Sequence, residues 1–139
     1  MSSHEPIAVK ISQGTHFDEA NLATGLTPLP GTCVKRSADG EVNTTVVVGD
    51  ELLILTEDEK LGGLKDTAYT DSARVQFFSP LPGDQFQVLV ESGDVIAYGD
   101  RLRVQAADGI FEVNAAGSVK ALEGFTATAT EKHVLVVKI

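Results

Sequence analysis

The chain has 139 residues, with 20 Asp and Glu against 11 Lys and Arg for a net charge of −9, and it contains one Cys and no Trp. That length supports a hydrophobic core without metal or disulfide staples, and the single Cys33 excludes an intramolecular disulfide. The acid excess argues against a nucleic-acid-binding face, because such affinity comes largely from clustered Lys and Arg, and no stretch approaches the roughly 20 apolar residues of a membrane span.

Residues 1–28 read differently from the rest. Met1 to Lys10 lacks the basic start and long apolar run of a secretory signal, so the expected compartment is a cytoplasm or something assembled there. Pro6, Ile7, Val9 and Ile11 alternate with other positions as one extended segment, which Gln13-Gly14-Thr15 breaks. This is either an ordinary first strand or an arm that pairs with a neighbouring subunit. Phe17 to Leu22, opening with Asp18 and Glu19, reads as a short helical turn or a loop.

From Leu29 to Ile139 the pattern is that of a single all-β domain, an antiparallel barrel or sandwich. Asp39-Gly40 separates Thr32 to Ser37 from Val42 to Val48, and Asp108-Gly109 separates Arg101 to Ala106 from Ile110 to Ala115. Both are expected to be hairpins closed by type I′ turns. Val75 and Phe77 alternate with polar neighbours, as do Phe86, Val88 and Val90, Leu102 and Val104, and Phe111 and Val113, which predicts four half-buried strands. Glu51 to Leu55 and the terminal His133 to Ile139 are apolar on both faces, so the last strand is expected inside a sheet or against a partner. Four Gly-Asp pairs, at Gly49, Gly83, Gly93 and Gly99, mark turns where strands end. Only Glu57 to Leu64 interrupts this rhythm; it is expected to be a long, solvated acidic surface loop, with a helical turn ended by Gly62 and Gly63 as the alternative.

No motif declares a reaction. Gly62-Gly63-Leu64-Lys65-Asp66 lacks the spacing and hydroxyl of a phosphate-binding loop, and no Ser occupies a Gly-x-Ser-x-Gly elbow. His4-Glu5 lacks the second His of a zinc helix, and Glu57, Asp58 and Glu59 are consecutive, whereas calcium loops alternate their ligands around a Gly. No catalytic residue, metal or cofactor is therefore expected. A biotinyl- or lipoyl-like barrel-sandwich module is the alternative suggested by Val88 to Leu102, with Lys65 or Lys120 as the remotely plausible modified lysine, although neither has the carrier flanks.

Taken in order, the landmarks from Leu29 onward resemble the head decoration, or cement, proteins of tailed bacteriophages. They are Leu29-Pro30-Gly31-Thr32 with Val34-Lys35, Leu53-Ile54-Leu55, Glu57-Asp58, the loop Leu61-Gly62-Gly63-Leu64-Lys65-Asp66-Thr67-Ala68-Tyr69, Val75 and Phe77, and Pro82-Gly83-Asp84. Val88-Leu89-Val90, Val95 to Leu102, the Asp108-Gly109 hairpin and the apolar C-terminal strand follow. Asp71-Ser72-Ala73-Arg74 departs from the family, standing where an Ala-Ala-Gly-Asp type turn is expected, and residues 1–28 match nothing in it. The resemblance implies a non-enzymatic protein on the outer surface of an assembled head. It would bind major capsid protein subunits, act as a homo-oligomer with a trimer favoured, and have no direct contact with nucleic acid or membrane. The partner-binding residues expected on this reading are Ile7, Val9 and Ile11 in the arm, with Leu61, Leu64 and Tyr69 in the Gly-rich loop. For the loop trio the rival is that they only tuck the loop down.

Overall fold

The computed structural model describes residues 6–46, 51–57, 67–105, 108–129 and 132–139. The fold is all-β, with no helix among the described residues. Its strands are β1 (Ala8–Lys10), β2 (His16–Asn21), β3 (Cys33–Arg36), β4 (Val42–Asn43), β5 (Leu53–Leu55), β6 (Arg74–Ser79), β7 (Gln85–Leu89), β8 (Val95–Ile96), β9 (Arg101–Val104), β10 (Phe111–Val113), β11 (Val119–Ala121), β12 (Phe125–Thr126) and β13 (His133–Lys138). A six-stranded sheet runs β1-β7-β13-β11-β9-β10, a five-stranded sheet β2-β6-β5-β3-β4, and β12 pairs with β8. Single parallel bridges curl each larger sheet towards itself without a continuous ladder: Leu22 to Val42 joins the ends of the five-stranded sheet, and Val90 to Phe111 joins the end of β7 to β10 in the six-stranded one. The architecture is thus a compact sandwich of curled antiparallel sheets, not a closed barrel.

The period of the sequence explains which residues go inside. In the six-stranded sheet Phe86 and Val88, Leu102, Phe111, Val119 and Ala121, and Val134 and Val136 all turn into one core. The five-stranded sheet contributes to two cores, one from each face, because successive side chains point opposite ways. Cys33, Ile54 and Phe78 join the large core, while Val34, Leu53, Leu55, Val75 and Phe77 line a smaller one inside the curl with Leu22, Val42 and Tyr69. This is why β5 lacks a polar face. The terminal β13 lies between β7 and β11, so its greasy edge is fully paired, as its sequence required.

Phe17 to Leu22 forms β2, paired with β6 from His16↔Ser79 to Asn21↔Arg74, in place of a helical turn. Its period is two: Ala20 and Leu22 are buried and Asp18 is partly buried, on the same side. Arg36 makes that acid tolerable in a strand, since its Nη1 donates to Asp18 Oδ2 at 2.7 Å while its guanidinium lies 5.2 Å from the Phe77 ring centroid. The Arg36 hydrogen bond, with a second from the Glu19 amide, holds the Asp18 carboxyl below its ordinary pKa.

Both expected hairpins form, but the first is not closed by a type I′ turn. Gly40 has φ 88° and Asp39 is not in the left-handed region. Gly40 N donates to Ser37 O at 3.1 Å and Ser37 N to Glu41 O at 2.8 Å, a three-residue loop with glycine in the bulge position. The Asp39 carboxylate accepts from Ser37 Oγ and Glu41 N, which stabilises the tighter turn without left-handed strain at Asp39. At the second hairpin Gln105 N donates to Ile110 O at 2.7 Å and Gly109 is the left-handed residue. A Cβ on Gly109 would overlap the Cys33 carbonyl, so glycine there lets the hairpin lie on β3, where Cys33 N donates to Gly109 O at 2.8 Å.

Three of the Gly-Asp pairs and the Leu29-Pro30-Gly31-Thr32 segment turn out to be one structural unit used four times. In each, the fourth residue's N–H donates to the carbonyl of the first: Thr32 to Leu29, Asp84 to Leu81, Asp94 to Glu91 and Asp100 to Ala97. The third residue is glycine at φ 89–95°, as a type II turn demands. Each Gly-x pair then faces a single residue of another segment, the glycine N–H donating to it and the next carbonyl accepting from it. The residues faced are Leu55, Lys138, Ala127 and Ala121, and this two-against-one geometry is that of a glycine bulge. Aspartate follows glycine because its carboxylate folds back over the turn: Asp84 Oδ2 accepts from Leu81 N at 2.9 Å and Asp100 Oδ2 from Ala97 N at 2.8 Å. The fourth Gly-Asp pair, Gly49-Asp50, lies outside the described residues.

Candidate interaction surface

The N-terminal segment is both extended and tied to its own body. β1 is the edge strand of the six-stranded sheet, pairing Ala8 with Phe86 and Lys10 with Gln85. The register slips between those pairs, a bulge that breaks the simple alternation of Ile7, Val9 and Ile11. Ile7 is fully buried in the large core, Ile11 is half-buried and packs on it, and Val9 is left 41% exposed. The three therefore do not share one outward face.

Three polar anchors hold this segment. Glu57, itself buried, accepts from Ile7 N at 2.9 Å. Gln87 Nε2 donates to Pro6 O at 3.2 Å while Gln87 N donates to Ile7 O at 2.8 Å. Asp84 receives Ser12 N on Oδ1 at 2.9 Å and the Thr15 hydroxyl on Oδ2, besides closing its own turn. Burial raises the Asp84 pKa, but the Thr15 hydroxyl and the Leu81 and Ser12 amides outweigh it and hold the carboxyl below its ordinary value. The chemistry of both acids is structural: their carboxyl oxygens accept from backbone donors that would otherwise be orphaned. Glu57 is accordingly no part of a solvated loop. Asp58 and Glu59 lie outside the described residues.

Of the loop residues, Leu61 and Leu64 lie outside the described residues, as does Lys65. Tyr69 is buried in the smaller core, where its hydroxyl donates to Thr56 O and its N–H donates to Pro28 O at 2.9 Å. Lys120 is in the middle of β11, paired with Val137 and Arg101, and not at a hairpin tip. No group of three or more His, Cys, Asp or Glu placed to hold a metal ion occurs among the described residues.

The exposed apolar side chains that sequence reasoning did not single out are Val95 and Tyr98, 71% and 70% exposed, with Phe17, Leu81 and Ile139 less so; Val113, expected on the buried face, is 47% exposed because β10 is the edge of its sheet. A signal for two of them exists in the chain. Tyr98 precedes the glycine of a type II turn, a position that projects from the body, and Val95 is out of phase with the buried Ile96. No protein-family model matches the chain, and no curated protein matches it.

Proposed function

We propose that the chain is a non-enzymatic decoration protein that binds the outer surface of an assembled phage head and ties major capsid protein subunits together. The observation that carries this reading is that the landmarks shared with the cement family are themselves the framework of the body. Leu29-Pro30-Gly31-Thr32 and the turns ending in Asp84 and Asp100 are copies of one bulged turn, and the segments between them are core strands. What such a framework leaves for binding is side chains outside it. At the sheet edge that is Val9, displaced outward by the bulge of β1.

The mechanism is one of multiplicity. A homotrimer touching several capsid subunits gains from high effective concentration, so a modest contact per copy still resists release. The single apolar side chain at an edge strand suits this, because strand addition at an edge supplies affinity through main-chain hydrogen bonds and specificity through alternate side chains.

The test is cosedimentation of the purified protein with heads of its own phage that lack it. Saturable binding is expected, and Val9→Asp is expected to lower occupancy about tenfold while leaving the fold intact, since Val9 is outside the core. A wild-type protein that does not sediment with such heads would end the proposal. Deleting residues 2–13 is a poorer test, because it removes Ile7 from the core and Ser12 from Asp84.

A further inference from the structure

Cations are unevenly placed in this acidic chain. The cross-strand register of the six-stranded sheet sets Lys10 opposite Gln85, Gln85 opposite Val137, Val137 opposite Lys120 and Lys120 opposite Arg101, one row across five strands. Arg103, two residues along β9 from Arg101, faces Glu112 on β10, with Nε 3.1 Å from Oε2. Directly opposed residues project to the same side, and Leu102, Val119 and Val136 fill the core from the other side, so Lys120, Arg101, Arg103, Leu135 and Val137 share the outer face.

Like charges directly opposite each other destabilise a sheet. Lys120 and Arg101 are nevertheless so placed, both exposed, and neither has an ion pair among the described residues. Arg101 Nε donates to Gly117 O at 3.0 Å, which holds the guanidinium toward that end of the strand rather than over a carboxylate. Beside this pair the half-buried Leu135 and Val137 give the face an apolar component.

We propose that this face docks a carboxylate-rich protein surface, with acidic side chains of the partner set against Lys120 and Arg101 and aliphatic ones against Leu135 and Val137. Charge complementarity selects the occupant. A nucleic acid or polyphosphate would extend past this small row into the field of a chain whose net charge is −9. A few protein carboxylates within a Debye length, about 10 Å, feel the row first. The inference deepens the capsid-binding reading and rests on it for the partner's identity, though not for its chemistry.

The experiment compares wild type with Lys120→Glu and with Arg74→Glu, an exposed strand cation of the other sheet that changes the net charge equally. Poly-L-glutamate, as oligomers of about four residues that stay within the row, is the probe, by calorimetry at low ionic strength, and undecorated heads are the second ligand. Expected are binding of poly-L-glutamate by wild type, about tenfold weakening in Lys120→Glu and less than about twofold in Arg74→Glu. Equal losses in both variants would overturn the proposal, as would tighter binding of heparin than of poly-L-glutamate. So would a fall in sedimentation mass confined to Lys120→Glu, which would assign the face to a second copy of the chain. If poly-L-glutamate behaves as expected but wild type ignores the heads, the decoration reading fails and the carboxylate-binding face stands.

Discussion

The two large sheets use the same strand chemistry to different ends. The five-stranded sheet sends side chains from both faces into cores, one the large core and one its own curl, and its exposed positions, such as Glu19, Arg74 and Gln76, are scattered between packed ones. The six-stranded sheet buries one face, covers the Gln87, Leu89 and His133 end of the other, and leaves the rest of it to Arg101, Lys120 and half-buried aliphatics, with the bulged β1 at its rim. A sheet with a spare face can host an interaction without losing its core. The five-stranded sheet is therefore expected to behave as scaffold and the six-stranded sheet as the working surface.

Phe78 is where the two meet. It projects from β6 into the large core, with its ring 5.6 Å from that of Phe86 at an interplanar angle of 88°, and Phe17 lies 5.2 Å away on its other side. Phe78→Ala is expected to destabilise the protein by about 4 kcal/mol, the range for a buried Phe with limited collapse. Chemical denaturation followed by both tyrosine fluorescence and circular dichroism should show one shifted transition. Two separate transitions would mean that the sheets unfold independently and that the shared core is weaker than its packing suggests.

A smaller effect is expected at the rim. Asp84→Ala removes the acceptor of Leu81 N, Ser12 N and the Thr15 hydroxyl at once, and it should cost about 3 kcal/mol, since hydrogen bonds to a charged group are each worth about 1.5–3 kcal/mol and do not add fully. The pH dependence has a definite sign. The folded-state pKa of Asp84 is depressed, so its contribution is complete above the unfolded value and is lost as pH falls through the folded one, beginning near pH ~4. Thermal melts of wild type should therefore lose stability below that pH more steeply than those of Asp84→Ala. Hydrogen exchange should report the loss first in residues 8–15, which Asp84 and β7 anchor.

Most of the fold was legible because the strands keep their period and the glycines mark their ends. The misreadings share one cause: local pattern does not report what crosses between segments. β2 was obscured by Asp18 and Glu19; the partner that makes Asp18 tolerable in a strand, Arg36, is 18 residues on. Glu57 read as solvated because nothing near it in sequence announces the Ile7 amide that it caps from 50 residues away. The arm residues were legible as extended, but the slip that separates buried Ile7 from exposed Val9 comes from pairing with β7 and not from the alternation itself. The cation row is assembled from β1, β9 and β11, so it becomes visible only with the register.

The subtlest difference between the sheets lies in how their strands are entered. β7 and β9 follow directly from type II turns with glycine at the left-handed position, Gly83 and Gly99. β6 follows Thr70-Asp71-Ser72-Ala73, where Ala73 N donates to Thr70 O at 3.2 Å and Ser72 takes φ 60° without being glycine, alone in this among the described residues. The Asp71 carboxylate holds the strained turn in place, accepting Gly25 N at 2.7 Å and the Ser72 hydroxyl at 3.2 Å. A left-handed L-residue costs about 1–2 kcal/mol, part of which glycine would return as unfolded-state entropy. Ser72→Gly should therefore stabilise the protein by about 0.5–1 kcal/mol, while Gly93→Ala, with open space around its Cβ but φ 95°, should destabilise it by about 1 kcal/mol. Opposite shifts in denaturation midpoint with unchanged m-values would show that backbone conformation alone separates these turns. A Ser72→Gly variant less stable than wild type would instead give the serine hydroxyl, through Asp71 and Gly25, a larger share in joining β2 to β6 than its exposed position suggests.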